Sequence, residues 1–284
     1  MVITLLSKLS NEDSSKKYVW RCDDNITETS ALFLEYRYPQ NVICVPTQFG
    51  CPVRCQFCAS NDLPFSKNID LPTLVELIDK TLVLSKIDDE FQASFMGQGE
   101  PLLNLENLSK TYEYLSSKYP GVTFGLSTIG IPHLIKTVLE KYPKIVGSTK
   151  FQVSLHSTIE EKRRKLIPYS SRYSLEELFK SAELLARESG RKICLNYLLF
   201  EGVNDSQTEL ENLGRINTEL FYLKLSKYNP LEKSRLRTAS ESTFQHFINK
   251  LEKTGLEIHY FESRGTNINA GCGQLCKQYY KKTN

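Results

Sequence analysis

The chain has 284 residues, of which 40% are hydrophobic and 24% charged, with a formal charge of +3. That supports one large domain or two small ones, with a mildly basic surface that permits nucleic-acid binding without arguing for it. Eight cysteines in this length are too sparse for a secreted disulfide scaffold, and their clustering suits a reducing compartment and a metal. The apolar run at the N-terminus is broken at once by Asn11-Glu12-Asp13, so it is no signal peptide. No stretch approaches the ~18–20 apolar residues of a membrane span. The expectation is a soluble, cytoplasmic protein without a membrane partner.

In chain order, Lys17–Cys22 and Ala31–Tyr38 read as two β-strands with a polar turn at Asp23-Asp24-Asn25, a hairpin extension over residues 1–40. From about Asn41 the rhythm changes. Strand-like runs at 42–45, 91–96, 122–127, 151–155, 193–200, 221–225 and 256–261 alternate with helical runs. The helices are expected at 71–86, 105–117, 132–141, 174–188, 207–218 and 240–254. Ser174 reads as an N-cap with Glu177 at the capping-box position. Repeated strand–helix–strand units mean a parallel sheet, and about six of them fit a barrel or partial barrel. The expected fold is therefore α/β, a partial (β/α)6 TIM-type barrel over residues 41–262 with a small N-terminal β-hairpin extension and a C-terminal loop and tail at 263–284.

Cys51, Cys55 and Cys58 lie just after the first strand of the repeat, at spacing C-x3-C-x2-C. A cubane 4Fe–4S cluster takes four thiolates, so three leave one iron open. An open coordination position is where a metal site does chemistry. S-adenosylmethionine can chelate such an iron, and one-electron transfer into its sulfonium releases a 5′-deoxyadenosyl radical. A structural zinc site is the alternative, but zinc usually takes two separated pairs of ligands, and no His lies near this triple.

The other motifs also fall at strand ends, where barrel enzymes keep their working groups. Gly97-Gln98-Gly99-Glu100-Pro101 follows the second strand, Ser127-Thr128-Ile129-Gly130 ends the third, Ser154-Leu155-His156-Ser157 the fourth, and Tyr228-Asn229-Pro230 the sixth. Each alone has a bland reading: a Gly/Pro turn, or a satisfied structural histidine. Their placement at one rim points to a cofactor site, with Ser127, Ser154 and Asn229 as short hydrogen-bonding groups.

Together these residues resemble the RlmN/Cfr group of radical-SAM adenosine methyltransferases. The resemblance runs from about Glu35 to Cys276. It rests on Gln48-Phe49-Gly50-Cys51-x3-Cys55-x-Phe57-Cys58, Gly97-x-Gly99-Glu100-Pro101-Leu102-Leu103-Asn104, Leu126-Ser127-Thr128-x-Gly130, Ser154-Leu155-His156, Gly202-Val203-Asn204-Asp205, Tyr228-Asn229-Pro230, and Ser263-Arg264-Gly265-x4-Ala270-Gly271-Cys272-Gly273-Gln274-Leu275. It implies a radical S-adenosylmethionine-dependent methyltransferase acting on adenosine of rRNA or tRNA, at carbon 2 or carbon 8. It implies a 4Fe–4S cluster on Cys51, Cys55 and Cys58, and S-adenosylmethionine bound by Gly99, Glu100, Ser127, Ser154, Leu155, His156 and Asn229. By position Cys272 matches the methyl-carrying cysteine, Cys44 the resolving thiol that leaves a protein disulfide, and Glu35 the proton acceptor. The implied partners are RNA and an electron donor such as flavodoxin or ferredoxin, and the chain is expected to be a monomer.

Cys44 also reads as a small buried hydrophobe, and Cys22 and Cys194 carry no motif and read as structural. Cys276 falls outside the family pattern. The chain reads as a short member that starts almost at the β-extension, without the usual N-terminal accessory domain. Gln98 stands where the group usually has Met, a polar amide expected beside the cofactor, and Ile129 stands in a turn usually made of small residues. Arg163-Arg164-Lys165, Lys224, Lys227, Arg235 and Arg237 read as phosphate contacts or as a merely solvated face. Two other readings stay open: a radical-SAM enzyme acting on a peptide or small RNA, and a non-catalytic iron–sulfur RNA-binding or redox-sensing protein.

Overall fold

The structure, a computed structural model, describes residues 2–11, 14–34, 40–231, 234–261 and 279. Two compact units are present: residues up to 54 with 58–127, and residues 55–57 with 128–261.

The first unit opens with three antiparallel strands, β1 (Ile3–Ser10), β2 (Lys16–Cys22) and β3 (Asn25–Leu34). Asp23 turns the β2–β3 connection at φ +51°, where the polar run predicted it. β3 begins directly after that turn, and β1 joins as a further strand. β4 (Gln40–Cys44) pairs antiparallel with β3 and parallel with β7 (Gln92–Phe95), which pairs parallel with β8 (Thr123–Thr128). The extension is thus continuous with the first parallel strands. A short ribbon, β5 (Gln48–Phe49) with β6 (Lys67–Asn68), brackets the first cysteines.

Helix α1 (Leu71–Ser85) begins where the Asp70 carboxylate accepts from the Thr73 amide (3.1 Å), and it ends at Lys86 in a left-handed conformation. Its stripe of Leu74, Leu77, Ile78 and Leu82 is buried. Polar contacts fix it to the extension: Tyr18 Oη with Ser85 Oγ (2.8 Å) and Thr29 Oγ1 with Thr81 Oγ1 (2.6 Å). Helix α2 (Leu105–Lys118) packs beside it.

The second unit holds α3 (Pro132–Lys141), α4 (Pro143–Ser148), β9 (Thr149–Ser154), α5 (Glu160–Leu166), α6 (Leu175–Ser189), β10 (Ile193–Leu198), α7 (Gln207–Leu213), β11 (Phe221–Ser226), α8 (Glu241–Glu252) and β12 (Ile258–Phe261). Strands β9, β10, β11 and β12 are parallel neighbours in that order. Alternation of Phe151 and Val153, of Ile193, Leu195 and Tyr197, and of Phe221, Leu223 and Leu225 buries one side of each strand. All seven strands of the predicted parallel set are present. Among the described residues no helix is long and apolar enough to cross a membrane.

Candidate active site

The cysteine segment leaves β5 through Gly50 at φ +78°, where a Cβ would sit 2.1 Å from the Pro64 carbonyl oxygen, so only glycine fits. Arg54 takes a left-handed conformation inside the C-x3-C stretch, at φ +62°. Cys51, Cys55 and Cys58 are all half-buried thiols outside any disulfide. Burial, then the neighbouring Cys58 and Glu100, push the Cys51 thiol up to about 12. Cys51, Cys58 and Glu100 therefore share one electrostatic neighbourhood within the first unit. Cys55 goes with the second unit, in a segment held by the Gln56 amide donating to the Leu166 carbonyl (2.9 Å). Phe57 packs edge-on against His156 there, with ring centroids 4.5 Å apart. Among the described residues no three His, Cys, Asp or Glu side chains stand ready-gathered around a metal position. The donor set nonetheless fits an iron–sulfur cluster, because soft thiols are the ligands such a cluster takes.

Gly97–Glu100 is sewn to the chain between Cys44 and Cys51. The Gly97 amide donates to Val45 O (3.1 Å), and the Thr47 and Gln48 amides donate to Gln98 O (2.8 and 3.2 Å). Gln48 Oε1 accepts from the Glu100 amide (2.8 Å). Gly99, at φ +107°, leaves no room for a Cβ against Gln48. The buried Glu100 carboxylate accepts from the Leu102 amide (3.1 Å). Gln98 is fully buried, and its Oε1 accepts from Thr27 Oγ1 on β3 (2.9 Å). Gln98 thus anchors the extension to the glycine motif. Gln98 Nε2, Thr47 Oγ1 and Ser94 Oγ are buried with no hydrogen-bond partner among the described residues.

Cys44 ends β4, half-buried, with Ser30 and Ser94 opposite it on the flanking strands. Ser30 also lies opposite Lys17, and Glu28 shares its face at the two-residue period of a strand. Lys17 Nζ and Glu28 Oε1 form an ion pair at 2.8 Å with almost no exposure (1% and 4%). The face that carries Cys44 therefore also carries a buried carboxylate that the motifs did not single out. Glu28 lies opposite Val19, diagonal to Lys17, and falls outside the strands expected at 17–22 and 31–38, so nothing in the sequence marks it. Glu35, Cys272, Cys276 and the block from Ser263 to Leu275 lie outside the described residues. Cys22 and Cys194 are buried, and burial pushes their thiols up to about 12 and about 11, which fits a packing role.

Ser127 lies on β8, half-buried. In the second unit the Gly130 amide donates to Thr128 Oγ1 (3.0 Å), and Ile129 is buried. Ser154 ends β9, and the Leu155 amide donates to Asn196 O (3.0 Å). His156 is buried at φ +54°, and its Nδ1 accepts from the Leu198 amide (3.0 Å), so a neutral ring carries its proton on Nε2. Burial, with the nearby Arg163 cation, pushes its pKa down to about 3. Asn204 of the Gly202–Asp205 motif is fully buried, and its Nδ2 donates to His156 O (2.6 Å) and Leu198 O (2.7 Å). Its Oδ1 accepts from the Phe200 amide (2.7 Å), so that motif is a bracket joining two strand ends. Glu209, also fully buried, accepts from the Ser157 and Thr158 hydroxyls and the Thr158 amide. Asn229 follows Tyr228, which packs on Phe200 with centroids 5.0 Å apart. Sequence reasoning missed Asn204's bracket and Glu209 because a buried polar residue looks like a surface one in a sequence.

The basic residues expected to hold phosphate are mostly engaged within the chain. Arg163 is 2% exposed. Arg164 pairs with Glu160, Lys165 with Glu161 (2.7 Å) and Lys227 with Glu241 (2.8 Å). Lys224 Nζ lies 3.9 Å from the Phe261 ring centroid, and Arg237 donates to the Ser234 and Leu236 carbonyls. Only Arg235 of the set is exposed with no such contact among the described residues.

Parallel strands with a thiol triple after the first of them, a glycine–glutamate turn after the second and polar strand ends beyond define a radical-SAM protein. The chain matches the radical SAM superfamily over residues 45–213. It is also similar to a solved radical SAM methyltransferase from Sphaerobacter thermophilus, at 26% identity with a TM-score of 0.87, covering 96% of this chain and 80% of that one. The α/β fold of the radical-SAM type expected from the sequence is borne out by that match. A relative described as "Probable dual-specificity RNA methyltransferase RlmN" from Clostridium perfringens (strain SM101 / Type A) is 32% identical over 289 residues, spanning 99% of this chain and 80% of its own length. One of the same description from Thermotoga maritima is 32% identical over 277 residues, covering 94% of this chain and 77% of its own. The chain belongs to the RlmN family of radical-SAM methyltransferases. It is an enzyme whose cofactors are a 4Fe–4S cluster and S-adenosylmethionine.

Proposed function

We propose that this enzyme methylates a ring carbon of adenosine in rRNA or tRNA, carbon 2 or carbon 8, through an S-methylcysteine on its own chain. The observation that carries the reading is the hydrogen-bonded seam of the first unit. In it the Gly97–Glu100 turn bonds to Val45, Thr47 and Gln48, the stretch of chain between Cys44 and Cys51, which supports reading these residues as one site. The cluster and S-adenosylmethionine supply the methyl group and the one-electron chemistry that an unreactive ring carbon requires.

The chain supplies the rest. Cys51, Cys55 and Cys58 hold the cluster. Gly99 and Glu100, with Ser127, Ser154, Leu155, His156 and Asn229, seat S-adenosylmethionine. Cys272 gives up its thiol proton and carries the methyl on sulfur. After the carbon–carbon bond to adenine forms, the ring proton passes to a carboxylate. The unpaired electron of the adduct would pass back to the one-electron chemistry the cluster supplies. The Cys44 thiolate then attacks the Cys272 sulfur, forming an S–S bond as the carbon–sulfur bond to the product breaks, and the released methylene takes a proton to complete the methyl group. An electron donor such as flavodoxin or ferredoxin restores the two thiols. The acceptor carboxylate is Glu35 by resemblance or Glu28 by its place on the Cys44 face. Adenosine must leave its stack to reach this centre, which costs about a few kcal/mol.

Intact-protein mass spectrometry of the anaerobically reconstituted enzyme tests the reading. With S-adenosylmethionine and reductant, the wild type gains one methyl mapped to Cys272, and Cys272→Ala gains none. No gain, with S-adenosylmethionine still cleaved, sinks the carrier. Glu28→Gln and Glu35→Gln separate the two carboxylates, because the variant that stalls as a covalent protein–RNA adduct marks the acceptor.

A further inference from the structure

Helix α5 carries a residue that the proposed reaction leaves without a role. Arg163 is 2% exposed, which is unusual for a guanidinium. Its Nη2 donates to Ile129 O (2.7 Å) and Ser154 O (3.2 Å), and its Nε donates to Leu155 O (3.2 Å). Its planar face lies over Tyr173, 5.6 Å from the ring centroid, and Tyr173 Oη also donates to Ile129 O (3.2 Å). The acceptors are carbonyls of two separate strand-end segments. Charge-assisted donors in a fixed fork can join such segments, and a lysine ammonium, a compact point charge, cannot span them equally well. The same helix ends at Leu166, whose carbonyl holds Gln56 of the cysteine segment (2.9 Å). One short helix thus fixes the chain at Ile129, Ser154, Leu155 and Gln56 together.

We propose that Arg163 is a positioning residue that locks the segments after β8 and β9 in the arrangement that receives S-adenosylmethionine. The proposal rests on reading Ser154, Leu155 and His156 as cofactor contacts. Strand ends that lack the clamp populate other arrangements, and binding must then select the competent fraction. Apparent affinity falls in proportion to that fraction, about tenfold if one-tenth of molecules remain competent. The chemistry of the bound state is left intact.

The test uses the reconstituted enzyme with Arg163→Lys and the milder Tyr173→Phe, which removes one donor to Ile129 O and keeps the ring. Equilibrium dialysis of S-adenosylmethionine, iron content and the electron paramagnetic resonance of the reduced cluster are measured side by side. Arg163→Lys is expected to bind S-adenosylmethionine about tenfold more weakly and Tyr173→Phe about threefold, both with wild-type iron content. The spectral change caused by S-adenosylmethionine should appear at correspondingly higher concentration. The rate of its cleavage at saturation should stay within about twofold of wild type, the signature of lost uniform binding. Wild-type affinity in both variants overturns the proposal, as does a loss of iron that parallels the loss of affinity. A wild type that fails to bind S-adenosylmethionine overturns the cofactor reading, and the role of Arg163 with it.

Discussion

His156 commits its backbone and Nδ1 to structure. Its backbone is left-handed, its Nδ1 takes the Leu198 amide, its carbonyl takes Asn204, and its ring faces Phe57. Burial holds its pKa down at about 3 against an ordinary 6.5. The unfolded chain therefore binds a proton between those values that the folded chain does not. Stability rises with pH there, and it is lost as pH falls below 6.5. The slope is about 1.4 kcal/mol per pH unit from this one group, or about 2 kcal/mol between pH 6.5 and pH 5. Asparagine keeps an acceptor near the Nδ1 position and tolerates the left-handed backbone. Urea unfolding at the two pH values should show His156→Asn losing less stability on acidification than wild type by about that amount; an equal loss would show that His156 titrates normally. The histidine was legible in the sequence as a motif member, and so was the bland reading of it. Its pairing with Phe57 was not, because the two are far apart in the chain and neither position carries a packing signal.

Among the elements, those with a local chemical signal were read correctly. Ser174 caps α6, its Oγ accepting from the Glu177 amide (3.1 Å) while Glu177 Oε2 accepts from the Ser174 amide (2.7 Å). Gly190 then stops the helix in a left-handed turn. Ser174→Ala removes one side of that reciprocal pair and is expected to cost about 1 kcal/mol, seen as a lower urea midpoint with an unchanged slope. A change in slope would mean more than the cap is lost. Helix α7 is shorter than the run to Thr218 suggested, because Gly214 follows Leu213 and the chain turns there. Helix α5 was hidden inside a charge run. Its Glu160–Arg164 and Glu161–Lys165 pairs sit at helical i,i+4 spacing, a signal that competed with the phosphate-binding reading. β1 escaped because it is an edge strand with one partner and mixed exposure, so its alternation is weak.

At the scale of the molecule, the N-terminal strands show where sequence reading stops. Lys17, Thr27, Glu28, Thr29 and Ser30 are polar residues that look solvent-facing, yet all are buried. They pair with one another, with α1 and with Gln98, so the extension is built into the first unit through a polar layer. Hydrophobic periodicity cannot report such a layer, because its signal is partner geometry rather than apolar content. Its energetics follow from desolvation. Removing one member of a buried ion pair strands the other charge and costs about 3–5 kcal/mol, whereas replacing both with apolar residues is often close to neutral. Lys17→Met should therefore unfold at markedly lower urea, while Lys17→Met with Glu28→Leu should recover most of the loss. Because Thr27 and Gln98 tie this layer to the glycine–glutamate turn, the recovered double variant also isolates chemistry from stability. If Glu28 accepts the substrate proton, the double variant regains its fold and S-adenosylmethionine binding and still stalls on RNA. If it turns over RNA normally, the ion pair is structural and Glu35 is left as the acceptor. A double variant no more stable than Lys17→Met would show that the two charges are held by partners other than each other.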